Sequence, residues 1–226
     1  MEKEELKQLA GEKAVEQIEE GMILGLGTGS TVKYSILKIA EMIKEKNLDV
    51  KGIPTSMSTK RLAKKEGIPL TDLKENPEID LTIDGADEVD SNLNLIKGGG
   101  GALLREKIVA YHSKKEIIVV DDSKVTKALG LNFAIPVEVA KFGWTATKKA
   151  LEELECEAEL RTIMDEVYIT DNGNYIIDCD FGRIREVEEL EEEINSIPGV
   201  VENGLFVDLA DVAIVGGKQG ITTLTK

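Results

Sequence analysis

The chain has 226 residues and a formal net charge of −15 at pH 7, a balance that disfavours DNA, RNA and anionic membranes as partners. Hydrophobic residues make up 42% of the sequence, enough for a sizeable buried core, and no apolar run reaches membrane-spanning length. His112 is the only histidine, and Cys156 and Cys179 lack CxxC spacing. Composition therefore excludes a His-rich transition-metal site and a His-dependent catalytic triad.

Strand-like and helix-like stretches alternate through the first half of the chain. The charged, helix-periodic stretch 3–20 predicts a helix rather than a signal peptide, so we expect a cytoplasmic protein. The same reading predicts strands at 22–27, 49–55, 69–73, 79–87 and 116–123, and helices at 32–46, 57–67 and 102–113. This alternation is typical of a Rossmann-like open, mostly parallel sheet with helices on both faces.

The pattern changes after about residue 130. A strand at 135–140, a helix from about Ala146, the turn signal "TDNGNY" between two strand-like runs and an acidic helix favour a smaller α+β, ferredoxin-like domain. The apolar stretch "ADVAIVG" predicts a buried strand that returns to the first sheet. We therefore predict a catalytic α/β domain of residues 1–130 with 206–226, and a smaller domain of residues 131–205.

The stretch "GLGTGST", residues 25–31, lies at a predicted strand-to-helix turn. Glycines there allow a ligand close to the backbone, and free N–H groups at a helix start attract an anion. The stretch nearly matches a dinucleotide fingerprint, but the second strand ends in "IPTSMS" without the acid that a Rossmann NAD site requires. A phosphate monoester fits better, and a plain capped turn is the alternative.

The stretch "DGADEVD", residues 84–90, directly follows a predicted strand, at the edge where open α/β sheets bind ligands. Asp84 and Asp87 could face one cleft, where paired carboxylates accept sugar hydroxyls, ligate a metal or shuttle protons. The alternative is a turn with solvated acids. A further strand-edge motif, "DDSK" at 121–124, offers Lys124 either to a phosphate or to solvent.

Four consecutive glycines stand in the stretch "IKGGGGALLREK", residues 96–107. They remove every side chain from one segment, at a cost in chain entropy. A flexible tether would not normally lie between an apolar strand system and an apolar helix. We therefore expect the glycines to line a cleft, with Lys97 at its entrance. Glu106 lies about one turn into the helix, where partial burial could raise its pKa towards that of a useful base.

Together these motifs resemble ribose-5-phosphate isomerase, type A, in their order along nearly the whole chain. The resemblance extends to the segments around residues 170–178, "SIPGVVENGLF" and "ADVAIVG". It implies interconversion of ribose 5-phosphate and ribulose 5-phosphate without cofactor or metal, on an α/β domain with a smaller α+β domain. It also implies a small-molecule sugar phosphate as partner and assembly as a homodimer or homotetramer.

The resemblance assigns roles to residues of this chain. Glu106 corresponds to the base, and Asp84, Asp87 and Lys97 to its polar partners. The substrate-binding positions that it implies are Thr28, Gly29, Ser30, Thr31, Gly85, Ala86, Gly98, Gly99, Gly100, Lys124 and, less closely, Lys7. The run KGGGGA here contrasts with the KGGGAA typical of the family; a glycine at position 101 is tolerable, but it could loosen the start of the helix.

Three rival functions remain open at this level. A sugar-phosphate-binding regulator would need the phosphate loop but not Glu106, Lys97 and both aspartates together. An amino-sugar phosphate deaminase is expected to use histidine, and His112 near a helix end is the only one available. A nucleotide-dependent oxidoreductase is weakened by the missing acid after the second strand.

Overall fold

The fold is that of a computed structural model, which describes residues 3–226. The first half contains α1 (Lys3–Val15), β1 (Ile23–Leu26), α2 (Val32–Lys46), β2 (Lys51–Pro54), α3 (Met57–Glu66), β3 (Leu81–Asp84), β4 (Glu88–Val89), β5 (Leu95–Ile96), α4 (Leu103–Tyr111), β6 (Glu116–Asp121) and a 3₁₀ turn (Asp122–Lys124). The second half contains β7 (Ile135–Val139), α5 (Trp144–Glu152), β8 (Glu157–Leu160), β9 (Thr162–Ile163), β10 (Glu166–Val167), β11 (Tyr175–Asp180), α6 (Val187–Asn195), β12 (Val200–Asn203), β13 (Leu205–Phe206), β14 (Val212–Gly217) and β15 (Gly220–Thr225).

The main sheet has six strands in the order β15-β14-β6-β3-β1-β2. Every neighbouring pair is parallel except the edge pair β14 and β15. The predicted open, mostly parallel sheet is thus confirmed, and so is the return of the segment "ADVAIVG", since Ile214 of β14 pairs with Val119 of β6. All six residues of β6 are buried, as expected for a central strand covered on both faces.

Four strands of the second half form a second sheet in the order β12-β7-β11-β8, in which all neighbours are antiparallel. Together with two helices, these strands follow one another along the chain as β7, α5, β8, β11, α6 and β12. This βαββαβ order is the predicted ferredoxin-like arrangement. A small third sheet, β13-β5-β4, joins segments from both halves of the chain. The division into domains at residues 131 and 205 stays a prediction.

Two helices illustrate how local sequence sets the elements. The apolar residues Val32, Ile36 and Ile39 recur on one face of α2 and are buried in the core. Ser56 caps α3 by accepting from the Thr59 N–H at 3.0 Å, and Gly67, with φ of +86°, ends it. None of the helices among residues 3–226 is both long and apolar enough to cross a membrane.

Helix α1 packs on the C-terminal strand of the parallel set. An added Cβ at Gly216 of β14 would lie 2.1 Å from the Leu6 carbonyl oxygen, so only glycine permits this approach. Leu6, Ala10 and Ala14 form the buried face of this helix. The helix ends at Val15 and not at residue 20 as predicted, because Glu16 and Gln17 donate to carbonyls three residues back, tightening the chain.

Two further local predictions were wrong, whereas helix α5 begins at Trp144, within two residues of the predicted start. Residues 69–73 form no strand, since only Leu70 makes an isolated bridge, to Gly52. The turn at "TDNGNY" exists, with the Thr170 N–H donating to the Asn174 carbonyl at 2.9 Å, but its flanking strands do not pair with each other. Strand β11 pairs instead with β7 and β8, and β10 with β9.

Candidate active site

A cavity of about 260 Å³ opens at the edge where β1, β3 and β6 end. The loops after these three strands meet there with the glycine run, α4 and α1, because the carboxyl ends of parallel strands share one edge. The polar side chains around it come from all of these elements. The lining residues are Lys3, Lys7, Thr28, Gly29, Ser30, Thr31, Val32, Gly85, Ala86, Asp87, Lys97, Gly98, Gly100, Glu106, Val119, Asp121 and Lys124.

The structure brings the residues predicted from sequence together in this one place. All of them line the cavity except Asp84 and Gly99, which lie directly behind it, each in contact with a lining residue. Lys3 and Asp121 also line the cavity and were not predicted. Two signals could have found them, because Lys3 precedes Lys7 by one helical turn and Asp121 opens the "DDSK" motif. His112 is exposed at the end of α4 and outside the lining.

Lys97 is the centre of a buried cluster of charges. Its ammonium nitrogen lies 3.1 Å from Asp84 Oδ2 and 3.5 Å from Glu106 Oε1, and it donates to the Gly85 carbonyl. The Phe206 ring lies beneath it, with 5.4 Å from the nitrogen to the ring centroid. Burial alone would lower the pKa of Lys97, but the charges of Asp84 and Glu106 outweigh it and raise that pKa, so the lysine is a cation.

Glu106 projects from the first turn of α4 and is buried. Its Oε2 atom has no hydrogen-bond partner within residues 3–226. Burial raises the pKa of Glu106 to about 8, with Lys97 opposing this rise and the charges of Asp84 and Asp87 adding to it. A carboxylate with this pKa and a free oxygen beside a cavity is suited to remove a proton from carbon near neutral pH.

Asp84 ties the first two loops of the site together. Its Oδ1 atom accepts from the Thr28 N–H at 2.9 Å and from the Gly85 N–H at 2.7 Å, while Oδ2 faces Lys97. The side chain is fully buried. With both oxygens engaged by protein groups, Asp84 is placed to orient the loops and the lysine.

The glycine run is fixed in place and does not act as a tether. Gly98 and Gly101 have φ of +102° and +75°, values that side chains rarely tolerate. Arg161 donates to the Gly98 carbonyl at 2.7 Å and to the Gly99 carbonyl at 3.2 Å, and Tyr168 donates to that of Gly100 at 3.2 Å. Arg161 and Tyr168 thus hold the carbonyls of three consecutive glycines beside the cavity.

The glycine run also makes hydrogen bonds through its own N–H groups. The Gly99 N–H donates to Asp87 Oδ2 at 2.7 Å, which orients that carboxylate at the cavity wall. Gly101 is tolerated at the helix start, where its N–H donates to the Gly98 carbonyl at 2.9 Å and α4 begins two residues later. A Cβ at Gly101 would lie 2.2 Å from the Tyr168 hydroxyl, so this position is closed to alanine here.

A cluster of hydroxyl groups supports Thr28 from behind. Thr28 Oγ1 lies 2.8 Å from the hydroxyls of Thr55 and Ser56 and 3.1 Å from that of Thr59. Thr59 in turn donates to the Gly27 carbonyl at 2.8 Å. These residues belong to "IPTSMST", the stretch that lacks the acid expected of a dinucleotide site. Their part in fixing the loop was not predicted.

Lysine side chains line the cavity where α1 meets the turn after β6. Lys3, Lys7 and Lys124 lie there with Asp121, and Lys3 Nζ is 3.6 Å from Asp121 Oδ2. The loop of residues 29–31, at the start of α2, lines the same cavity. Lys7 also pairs with Glu4 at 2.8 Å. Against a net charge of −15, three lysines beside a helix start are suited to attract an anion.

Glu116, the first residue of β6, is buried behind the charge cluster, and neither of its carboxyl oxygens has a hydrogen-bond partner within residues 3–226. Burial, followed by the charge of Asp84, raises the pKa of Glu116 well above its usual value, with Lys97 opposing. The folded protein therefore keeps this side chain protonated at pH values where the unfolded chain ionises it.

Replacing Glu116 by glutamine is expected to raise the free energy of unfolding at pH 8 by about 1 to 3 kcal/mol. The wild type loses stability as pH rises from the pKa of Glu116 in the unfolded chain towards its higher pKa in the folded protein. The variant has no ionisable group at this position and therefore lacks this loss. Urea unfolding of both proteins near pH 5 and pH 8 measures the difference, which should be larger at pH 8. A variant less stable than wild type at pH 8 would contradict the expectation.

Comparison with known proteins agrees with this geometry. The family model described as ribose 5-phosphate isomerase A (phosphoriboisomerase A) matches residues 51–220. The ribose-5-phosphate isomerase A of Gloeobacter violaceus is 52% identical over 221 residues, which cover 97% of this chain and 96% of the relative.

Solved structures match equally well. Ribose 5-phosphate isomerase A from Methanocaldococcus jannaschii superposes with a TM-score of 0.95 at 45% identity, covering 100% of both chains. A D-ribose-5-phosphate isomerase solved in complex with phospho-erythronic acid gives a TM-score of 0.97 at 43% identity, again over 100% of both chains. The ordered motifs, the fold and these similarities together show that the chain belongs to the ribose 5-phosphate isomerase A family.

Proposed function

We propose that this protein interconverts D-ribose 5-phosphate and D-ribulose 5-phosphate, an aldose–ketose isomerisation of the non-oxidative pentose phosphate pathway, with Glu106 as the base. The observation that carries the mechanism is the buried Glu106 carboxylate. It has one free oxygen, a pKa raised to about 8, and a lysine 3.5 Å from its other oxygen. Family membership supports the substrate.

The proposed reaction moves one proton between neighbouring carbons. Glu106 removes the proton from C2 of the open-chain aldose, and the electron pair of that C–H bond forms a C1–C2 double bond while O1 takes the negative charge. This gives an enediolate. Glu106 then returns a proton to C1, and the O2 proton moves to O1, leaving a carbonyl at C2. No redox partner is consumed.

The other polar groups serve the charge that develops on oxygen. Lys97 is a buried cation whose neighbours hold it in place, and it lies beside the base. We propose that Lys97 and the N–H groups of Gly98 and Gly100, two glycines that line the cavity, stabilise the enediolate oxygen, as preorganised donors do in such sites. Asp87 lines the cavity and is partly exposed, so we assign proton exchange between O1 and O2, or ring opening, to this residue.

The phosphate is assigned to the cationic part of the cavity. Lys7 and Lys124 lie there beside the helix start at Ser30 and Thr31, whereas the reacting carbons are assigned to the part beside Glu106. Binding energy at the phosphate would then hold the sugar in the geometry that the base needs.

The test is turnover of ribose 5-phosphate to ribulose 5-phosphate by the purified chain, with EDTA present and no nucleotide added. We expect saturable conversion in both directions towards one equilibrium ratio. Binding of the sugar phosphate without conversion would contradict the proposal and favour the regulator. Thermal stabilisation by NAD and not by ribose 5-phosphate would favour the oxidoreductase instead.

Location and assembly stand as finer proposals. We propose a cytoplasmic homodimer or homotetramer that binds no nucleic acid. The net charge of −15 supports the last point. Exposed apolar side chains around the β9–β10 ribbon, Ile163, Met164 and Ile169, support self-association.

A further inference from the structure

The turn of residues 170–174 lies beside the candidate active site although it belongs to the four-stranded sheet. Asp171, Asn172 and Gly173 are exposed, and a turn of this kind normally contacts solvent alone. Here it contacts both α3 and α4, the helices that support Thr28 and carry Glu106. These contacts give the turn a role beyond reversing the chain.

The first contact is with α4. Arg105 donates from Nε to Asn172 Oδ1 at 2.8 Å and from Nη2 to the Asp171 carbonyl at 2.9 Å, and its Nη1 lies 3.7 Å from Asp171 Oδ2. Arg105 directly precedes Glu106. Since successive residues on a helix point about 100° apart, fixing Arg105 on the turn fixes the rotation of α4 that directs Glu106 into the cavity.

The second contact is with α3. Asp171 Oδ2 accepts from the N–H of Met57, the first residue of α3, at 2.7 Å. That N–H is one of the donors that a helix start leaves unsatisfied. Ser56, the residue before it, holds the Thr28 hydroxyl at 2.8 Å. One carboxylate in the turn thus reaches the element that supports the loop of Thr28.

A buried carboxylate of the four-stranded sheet holds the turn by hydrogen bonds. Glu138 on β7 is fully buried, and its Oε1 atom accepts from Thr170 Oγ1 at 3.0 Å, Asn174 Nδ2 at 2.8 Å and Asn172 Nδ2 at 3.2 Å. Burying a carboxylate is costly unless it is hydrogen-bonded. The Asn172 amide therefore links the core of one sheet, through Arg105, to the residue next to the base.

We propose that the turn 170–174 is a positioning device for the isomerisation, in which Asp171 and Asn172 fix α4 relative to α3 so that Glu106 and the Thr28 loop keep one spacing. This inference rests on the proposed function. The turn touches neither substrate nor reacting atoms, and it acts through Arg105 and Met57. A displacement of about 1 Å at a base is enough to cost about a hundredfold in rate.

The test compares steady-state kinetics of wild type, Asp171→Ala, Asn172→Ala and the control Asp180→Ala on ribose 5-phosphate. Asp180 lies at the other end of β11 and accepts from the Gly182 N–H at 2.8 Å within its own turn. We expect the two changes in the 170–174 turn to lower kcat by about ten- to a hundredfold with KM within about threefold, and the control to stay within about twofold. Calorimetric titration with phospho-erythronic acid counts the binding sites, so that kcat refers to folded protein.

A second variant covers the case in which a change in the turn prevents folding. Arg105→Met alters one partly exposed side chain of α4 and should give the same loss of kcat. The double variant Arg105→Met with Asn172→Ala should lose no more than either single variant, because both break one link. Wild-type kcat in the folded variants, a loss confined to KM, or additive losses would each overturn the positioning role. An inactive wild type would instead overturn the proposed function.

Discussion

Replacing Glu106 by glutamine is expected to lower kcat for ribose 5-phosphate by at least about a thousandfold. The amide keeps the size of the side chain but cannot accept a proton from carbon. Binding should persist, because the lysines and the loop of residues 29–31 that we assign to the phosphate are unchanged. Stopped-flow or coupled turnover gives kcat, and calorimetric titration with phospho-erythronic acid gives the affinity.

The pH profile provides the accompanying check. Burial raises the pKa of Glu106 to about 8, so wild-type kcat/KM should rise with pH through that region as the base loses its proton. Residual activity of Glu106→Gln should lack this rise. Glu202→Gln is the matched control, since Glu202 pairs with Lys107 at 2.7 Å outside the cavity lining. Retention of more than about a tenth of wild-type kcat by Glu106→Gln would rule out this base.

Replacing Lys97 by methionine is expected to lower kcat/KM by about a hundred- to a thousandfold near pH 7.5. Two effects act together. The cation proposed to stabilise the enediolate is lost, and Glu106 loses the positive charge that holds its pKa down. The rise of kcat/KM with pH should therefore move to higher pH than in wild type, which a profile between about pH 6 and 10 measures.

Lys107→Met is the matched control for this change. Lys107 also lies over the Phe206 ring, at 5.1 Å, but its ion-pair partners Glu191 and Glu202 lie outside the cavity lining. Its pH profile should coincide with that of wild type. A Lys97→Met profile with an unshifted rise would show that Lys97 does not set the charge state of the base, even if the rate falls.

Sequence reasoning found much of this molecule because the informative patterns are local. Continuous apolar runs alternating with helix-like stretches predicted the parallel sheet. The motifs that follow three of its strands predicted the candidate site, because the carboxyl ends of parallel strands share one edge of the sheet. The predicted helix at 32–46 agrees with α2 at both ends. Glu106 and Lys97 could be chosen because their motif combines glycines with charged residues in one short segment.

What sequence reasoning missed depends on contacts between distant segments. Arg161 and Tyr168, which clamp the glycine run, lie some 60 residues further along the chain and look like ordinary strand residues there. The hydroxyls of Thr55 and Thr59 support the loop only because the fold places Thr28 against them, and the sequence does not show this contact. The sequence also does not show that Glu116 is buried behind the charge cluster of Lys97, because partner distances and burial decide whether such a residue is charged.

The packing of α1 on β14 has a consequence for the order of events during synthesis. Lys3 and Lys7 emerge from the ribosome long before residues 212–217, which form the strand on which their helix rests. Strand β14 also pairs with β6, and the whole βαββαβ unit is translated between the two. A nascent chain that has not yet released residues 212–217 thus lacks the support for one wall of the cavity. We expect the cavity to be complete, and the protein to be active, only after residues 212–217 have left the ribosome and entered the sheet.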